Sequence, residues 1–387
     1  MNHSKRDHAI LSASKSGMFL KCTRSIRLGE QFEEKTSIFA KEGTFMHELC
    51  EWHLLYFLKR ITKAQFNKKL KQMKQNQFYN KEIEQAVHSY VDIVIEKINE
   101  ARARNIDPLI LIEERLDFSP WVPEGFGTGD VVIISDGILE VVDLKGGKGI
   151  SVSAEKNEQM RLYALGAIHG FGMLYDIQTV LMTIVQPRLD NISTDEIQID
   201  DLLEWAESEV RPKAELAFAG KGPFVVGSHC RWCKAKASCR ARAEENMKLA
   251  RLDFQSPPLL TDEEVVEILT SLDDLISWAK TVQEFALSMS VNENKQWPGM
   301  KLVEGRGSRK YSDEEAVIDT LTAAGYNTDV IYKKSLNTIT VLEKELGKKE
   351  FEELLGSFVT KAQGKIKLVP EEDKRPELKA SPEVDFQ

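Results

Sequence analysis

Nowhere in these 387 residues is there an apolar run long enough to span a bilayer, and the opening residues, MNHSKRDHAI, lack the basic-then-apolar pattern of a secretory signal. Both absences argue against a membrane or exported protein, so the chain is expected in the cytoplasm. Cysteine is scarce, at five residues, and a cytoplasmic setting disfavours structural disulfides among them. Positive charge is in deficit: 52 Lys and Arg stand against 61 Asp and Glu, and the net charge of -9 argues against a protein that coats nucleic acid by bulk attraction. What remains, 42% hydrophobic and 29% charged residues over a length that fits two or three structural units, is the composition of an ordinary globular chain.

The positive charge that exists is gathered. Residues 1–28 carry Lys5, Arg6, Lys15, Lys21, Arg24 and Arg27 against Asp7, a balance of +5. Residues 230–251 carry Arg231, Lys234, Lys236, Arg240, Arg242, Lys248 and Arg251 against Glu244 and Glu245, again +5. KLVEGRGSRK (301–310), with Arg306, Arg309 and Lys310, has a balance of +3. Such patches are solvated faces unless they border a reaction site.

Periodicity supplies the elements. EGTFMHELCEWHLLYFLKR (42–60) has apolar residues at helical spacing, with Gly43 before or at its start, and a polar helical region follows to about residue 104. LILIEERLDF (109–118) reads as a strand between Pro108 and Pro120. DVVII and ILEVVDLK, separated by SDG, form a hairpin pattern. A helix with Ser153 as N-cap and Glu155 in its first turn follows, then a strand TVLMTIVQPR (179–188) ended by Pro187. This order predicts an α/β fold, a mixed sheet flanked by helices. Thr261 and Glu264 form a capping box for a long helix, and the Pro- and charge-rich residues 370–387 predict a mobile tail.

EVVDLKGGKG (140–149) puts Asp143 and Lys145 two apart at the end of an apolar strand. Alternate strand residues share a face, and charges there need a partner or a metal. Asp130, opening DVVII, falls near the level of Asp143 if the chain turns at SDG, so the two carboxylates would take one hard cation, Mg2+ or Mn2+. Lys145 would then orient water or stabilise a developing anion. Gln159 and Tyr163, four apart, share a helix face that can turn toward the hairpin's end. His47, four after Gly43, offers an imidazole as a third ligand.

Taken in order, GTFMH, GTGD, VVDLK and QMRLY resemble the G-x-x-x-H, G-D, D-x-K and Q-x-x-x-Y motifs of the RecB-type branch of the PD-(D/E)xK nucleases, over roughly residues 40–190. The resemblance implies a restriction-endonuclease-like core. Its metal would be held by His47, Asp130, Asp143 and the Leu144 carbonyl, with Lys145 catalytic, Gln159 and Tyr163 in support, and Glu113 as a further participant. It also implies hydrolysis that leaves a 5'-phosphate.

Three of the five cysteines, Cys230, Cys233 and Cys239, form C-x2-C-x5-C, and Cys22 far upstream is the natural fourth ligand, with His229 able to replace one of them. Cys50 reads as packing. Four thiolates hold either zinc or an iron-sulfur cluster. One cysteine before the core and three after it resembles the AddB-type and CRISPR-adaptation nucleases, which implies a structural 4Fe-4S cluster. Arg24, Arg231, Trp232, Lys234 and Lys236 would then border the groove and meet phosphates or bases. GRGSRKY suits either nucleic-acid contact or a plain linker.

PGMKLVEGRGSRKYSDEEAV and LVPEEDKRPEL resemble an uncharacterised family of phage and prophage proteins over the whole chain, which implies phage DNA replication or recombination proteins as partners. The expected organisation is a nuclease core over 1–255, a connecting helix over 256–290, a small region over 291–369 and the tail. The expected activity is a metal-dependent deoxyribonuclease, an exonuclease on single strands or duplex ends. The alternatives are a non-catalytic DNA-binding protein on the same fold and a zinc-stabilised RNA-processing nuclease.

Overall fold

Five strands form one mixed sheet in the order β1 to β5: Leu109–Asp117, Phe126–Ser135, Ile138–Leu144, Thr179–Gln186 and Asn191–Gln198. Neighbours are antiparallel except β3 and β4, which run parallel. The structure, a computed structural model, describes residues 9–33, 37–250, 260–303, 313–325, 332 and 337–359. The expected architecture is the one found, a mixed sheet flanked by helices.

Two short helices, α1 (Ser16–Phe19) and α2 (Ser25–Gly29), precede α3 (Ile38–Phe57), α4 (Lys63–Met73) and α5 (Lys81–Arg104). Between β3 and β4 the chain crosses through α6 (Glu158–Phe171), as a parallel pair requires. After β5 come α7 (Ile199–Trp205), α8 (Arg211–Phe218), α9 (Arg240–Ala250) and α10 (Asp262–Asn292). Both faces of β2 and β3 are covered, which is why these strands read as unbroken apolar runs. Val132, Ile134, Leu139 and Val141 pack into one core with α6, and Val131, Ile133, Val142 and Leu144 into another with α3 and α5. The hairpin turns where expected, with Asp136 and Gly137 at φ 51° and 76°, the left-handed pair that a two-residue hairpin uses.

Several details differ from the sequence reading. α3 begins five residues before Gly43, capped by the Ser37 hydroxyl that accepts from Ala40 N, so Gly43 lies inside it. The N-cap of α6 is Asn157, whose side chain accepts from Gln159 N and Met160 N; Ser153 instead accepts from Glu155 N in the loop before it. Lys156, at φ 50°, breaks any helix between the two. β2 begins at Phe126, which leaves Asp130 inside the strand. β5 was not anticipated: NISTDEIQ alternates half-buried with exposed positions on an edge strand and carries little apolar signal.

The chain divides into two compact units, Met1–Leu287 and Ser288–Gln387. The described part of the second contains α11 (Glu314–Ala323), α12 (Ile339–Leu346) and α13 (Lys348–Leu355). Arg306, Arg309, Lys310 and the tail from 370 lie outside the described residues. Among the described residues no helix is long and apolar enough to cross a membrane.

Candidate metal centre

Pairing between β2 and β3 runs from Ser135 opposite Ile138 to Val131 opposite Val142, which sets Asp130 at the level of Asp143. Asp130 Oδ2 accepts the Leu144 amide at 2.7 Å, and Asp130 Oδ1 lies 3.1 Å from His47 Nδ1 on α3. Glu113 Oε1 on β1 is 3.8 Å from the same nitrogen. One ligand atom each of His47, Glu113 and Asp130 lies within 4.8 Å of the others, and among the described residues no other three His, Cys, Asp or Glu do so.

Strand alternation alone would not put Glu113 here. Its φ of 50° is left-handed, strained backbone for a residue with a Cβ. As a result Ile112 and Glu113, consecutive in β1, line the same small pocket as His47, Asp130, Cys50 and Tyr90. The Tyr90 hydroxyl is buried there without a hydrogen-bond partner. Neither Tyr90 nor the strain at Glu113 has a sequence signature; Tyr90 reads only as one more apolar position on α5.

Beside this triad stands a second, tightly bonded group. Lys145 Nζ lies 2.8 Å from Asp143 Oδ2 and donates to Gln159 Oε1 at 3.0 Å. Gln159 Nε2 in turn donates to Asp143 Oδ1 at 3.3 Å and to the Tyr163 hydroxyl at 3.1 Å. A Cβ at Gly127 would stand 2.8 Å from the Tyr163 ring, so the first glycine of GTGD lets α6 close on β2. Asp143 thus bonds Lys145 and Gln159, and Glu113 is the third group, with His47 and Asp130, of a triad whose atoms could hold a metal ion.

Arg188, almost fully buried, donates to Glu42 of α3 at 2.7 Å, to Glu82 of α5 at 3.0 Å and to the Gly146 carbonyl at 3.0 Å. Gln186 Nε2 donates to the Ile150 carbonyl at 2.8 Å. The two hold the glycine loop after Lys145 against α3, where a Cβ on Gly146 would meet Met46 Sδ at 2.8 Å. Sequence spacing missed both, since their partners are distant in the chain.

One imidazole and two carboxylates suit a hard divalent cation. The electrostatics agree. Burial, then Asp130, pushes Glu113 up to about 7. Burial alone would lower His47, but Asp130, Asp143 and Glu113 outweigh it and raise the ring to about 9. Burial raises Asp143 although Lys145 opposes it, and Asp143 and Asp130 hold the Lys145 ammonium above its ordinary range against the pull of burial. Such an excess of half-buried negative charge attracts protons, and a divalent cation displaces them.

A pH dependence follows. Glu113 and His47 bind protons more tightly folded than unfolded. Their contribution to metal-free stability is therefore complete below the unfolded values of 4.5 and 6.5 and lost above about 7 and about 9. In EDTA the melting temperature should fall as pH rises through this window, and the Mn2+-induced rise in melting temperature should grow over it. Glu113→Gln should remove the lower part of the fall. A Mn2+ effect that stays constant across the window excludes this ligand set.

Cys22, Cys230, Cys233 and Cys239 line one cavity of about 370 Å³, open mouth included, together with His229 and Arg242. His229 Nε2 faces the Val225 carbonyl at 3.0 Å and so carries the donated hydrogen, which leaves that nitrogen no lone pair for a metal. Cys50 lies elsewhere, in the core between α3 and α5. The N-terminal segment is also tied to the chain before the cysteines without sulfur: Thr23 Oγ1 donates to Lys221 O, Arg24 Nε to Gly222 O and Arg27 Nε to Phe218 O, at 2.6 to 2.7 Å. Arg24, which is exposed, also lies over the Phe224 ring. Trp232 is 69% exposed with Arg231 5.9 Å from its ring, and Lys236 donates to the Arg231 carbonyl.

The family model described as protein of unknown function (DUF2800) matches residues 8–376. Among solved structures, similarity is found to a candidate exonuclease from Eubacterium rectale, at 13% identity over 60% of this chain and 87% of that one, with a TM-score of 0.31. It is also found to the protein SSO0001, at 14% identity over 59% of this chain and 96% of that one, with a TM-score of 0.23. Likeness at that level assigns no residue and no activity to this chain.

Proposed function

Since the chain belongs to the DUF2800 family, whose description carries no activity, its function has to be read from its own site, and we propose a divalent-metal-dependent deoxyribonuclease acting on single strands or duplex ends. The observation that carries this reading is the juxtaposition of the His47, Glu113 and Asp130 ligand atoms with a lysine held by Asp143 and Gln159. Bound there, Mg2+ or Mn2+ would supply a Lewis acid that lowers the pKa of water and offsets phosphodiester charge.

The chain's own residues do the rest. Asp130 bonds both the β3 end and His47, so it fixes α3 to the hairpin at the reacting position. Lys145 stays cationic and presents its ammonium to the charge that develops on the phosphoryl oxygens. Gln159, itself anchored by Tyr163, keeps that ammonium from rotating away. A phosphodiester substrate is the natural complement of one divalent ion and one lysine in the same recess.

The cysteine cavity supports a 4Fe-4S cluster held by Cys22, Cys230, Cys233 and Cys239. All four cysteines line one cavity, and the preference for the cluster over zinc follows the sequence resemblance. The cluster's contribution would be structural, closing the N-terminal segment onto residues 218–239. Phage replication or recombination remains the context that the sequence resemblance supports.

Incubation of the anaerobically purified protein with end-labelled single-stranded DNA, duplex DNA and RNA, in Mn2+, Mg2+ or EDTA, tests the reading. DNA should be degraded from ends in a metal-dependent way. Binding without cleavage in both metals, or cleavage confined to RNA, would overturn it.

A further inference from the structure

Arg242 on α9 is the largest fully buried side chain among the described residues, at 1% exposure, and it is one of the residues lining the cavity of the four cysteines. Its bonding is incomplete. One terminal nitrogen faces the Cys230 carbonyl at 3.4 Å, the other reaches Asp274 Oδ1 of α10 at 3.1 Å, and Nε has no partner. The Asp274 side chain is 53% exposed, so water screens much of its field.

A guanidinium cannot shed its proton, and a buried charge balanced only by one half-exposed carboxylate is unfavourable. A negative group inside the cavity would complete the balance. Neutral thiols do not supply it. Four thiolates on a 4Fe-4S core do, since the ligated oxidised cluster carries a net charge of about -2 and the reduced one about -3. The other cation lining the cavity, Lys236, is already bonded to the Arg231 carbonyl at its exposed side.

We infer that Arg242 is the fixed counter-cation of the thiolate-bound cluster, a positioning residue that retains the cluster and raises its reduction potential. This rests on reading the cavity as an iron-sulfur site. A fixed positive charge stabilises the more negative, reduced cluster more than the oxidised one, so removing it lowers the midpoint. Asp274, which partly neutralises Arg242, acts in the opposite sense.

The test compares full-length wild type with Arg242→Gln, Arg242→Lys and Asp274→Asn, all purified anaerobically. Iron and sulfide per chain, the rate of iron loss to a chelator and the one-electron midpoint against dithionite are measured. Wild type should carry about four iron and four sulfide. Arg242→Gln should lose iron about tenfold faster and show a lower midpoint, with Arg242→Lys recovering most of both. Asp274→Asn, a surface change, should load fully and show a raised midpoint, and it decides the matter if Arg242→Gln does not fold. An unchanged midpoint in Arg242→Gln, or an unchanged or lowered one in Asp274→Asn, overturns the inference and leaves the cluster reading standing. Wild type without iron overturns the cluster reading itself.

Discussion

Asp130→Asn should abolish cleavage, by at least about 10³-fold, while DNA affinity measured in Ca2+ stays within about twofold. The substitution keeps the side chain's shape but removes a carboxylate that meets His47 at 3.1 Å and Glu113 within the same triad. Mn2+ affinity should fall with it. Because Asp130 is also a main cause of the raised His47 and Glu113 values, both groups should return toward their ordinary ranges. The metal-free variant should then melt no lower than wild type at alkaline pH. Lys145→Ala separates the two parts of the site. Its cleavage should drop about 10²- to 10³-fold with Mn2+ affinity retained, since the lysine bonds Asp143 and Gln159 and none of the triad. If both variants degrade DNA at the wild-type rate, the site is not catalytic.

Cys230→Ala should cost the protein its cluster and much of its stability. A group held by thiolates from both ends of the first unit contributes its binding free energy to folding. At about 2–4 °C per kcal/mol for a unit of this size, a loss of about 3–5 kcal/mol lowers the melting temperature by roughly 6–20 °C. Unfolding need not be complete, because Thr23, Arg24 and Arg27 still tie the N-terminal segment to residues 218–222. Cys50→Ala is the control. It trims the core of α3 by one sulfur, should cost about 1 kcal/mol, and should leave the iron content unchanged. Equal iron content in wild type and Cys230→Ala would show that the four cysteines do not hold one group.

Much of this molecule can be read locally. The β2–β3 hairpin, the crossover helix α6 and the strand after it are each announced by period and turn chemistry, because a strand with both faces covered must be apolar throughout. The edge strand β5 escaped because it is polar, and the start of α6 was misplaced because Ser153 and Asn157 both resemble caps and only the left-handed Lys156 between them decides.

The chain's own order of residues determined which groups would meet: strand alternation and a two-residue turn oblige Asp130 to approach Asp143, and helical spacing obliges Gln159 and Tyr163 to share a face. Only the folded chain decided how they divide. A left-handed φ at Glu113 brings it to His47 and Asp130, Asp143 goes to Lys145, and Arg188 and Arg242 find partners that sequence spacing does not name. Local periodicity fixes which side of an element a residue occupies, whereas distances between distant segments, and the strain they impose on one residue, are set by packing of the whole core.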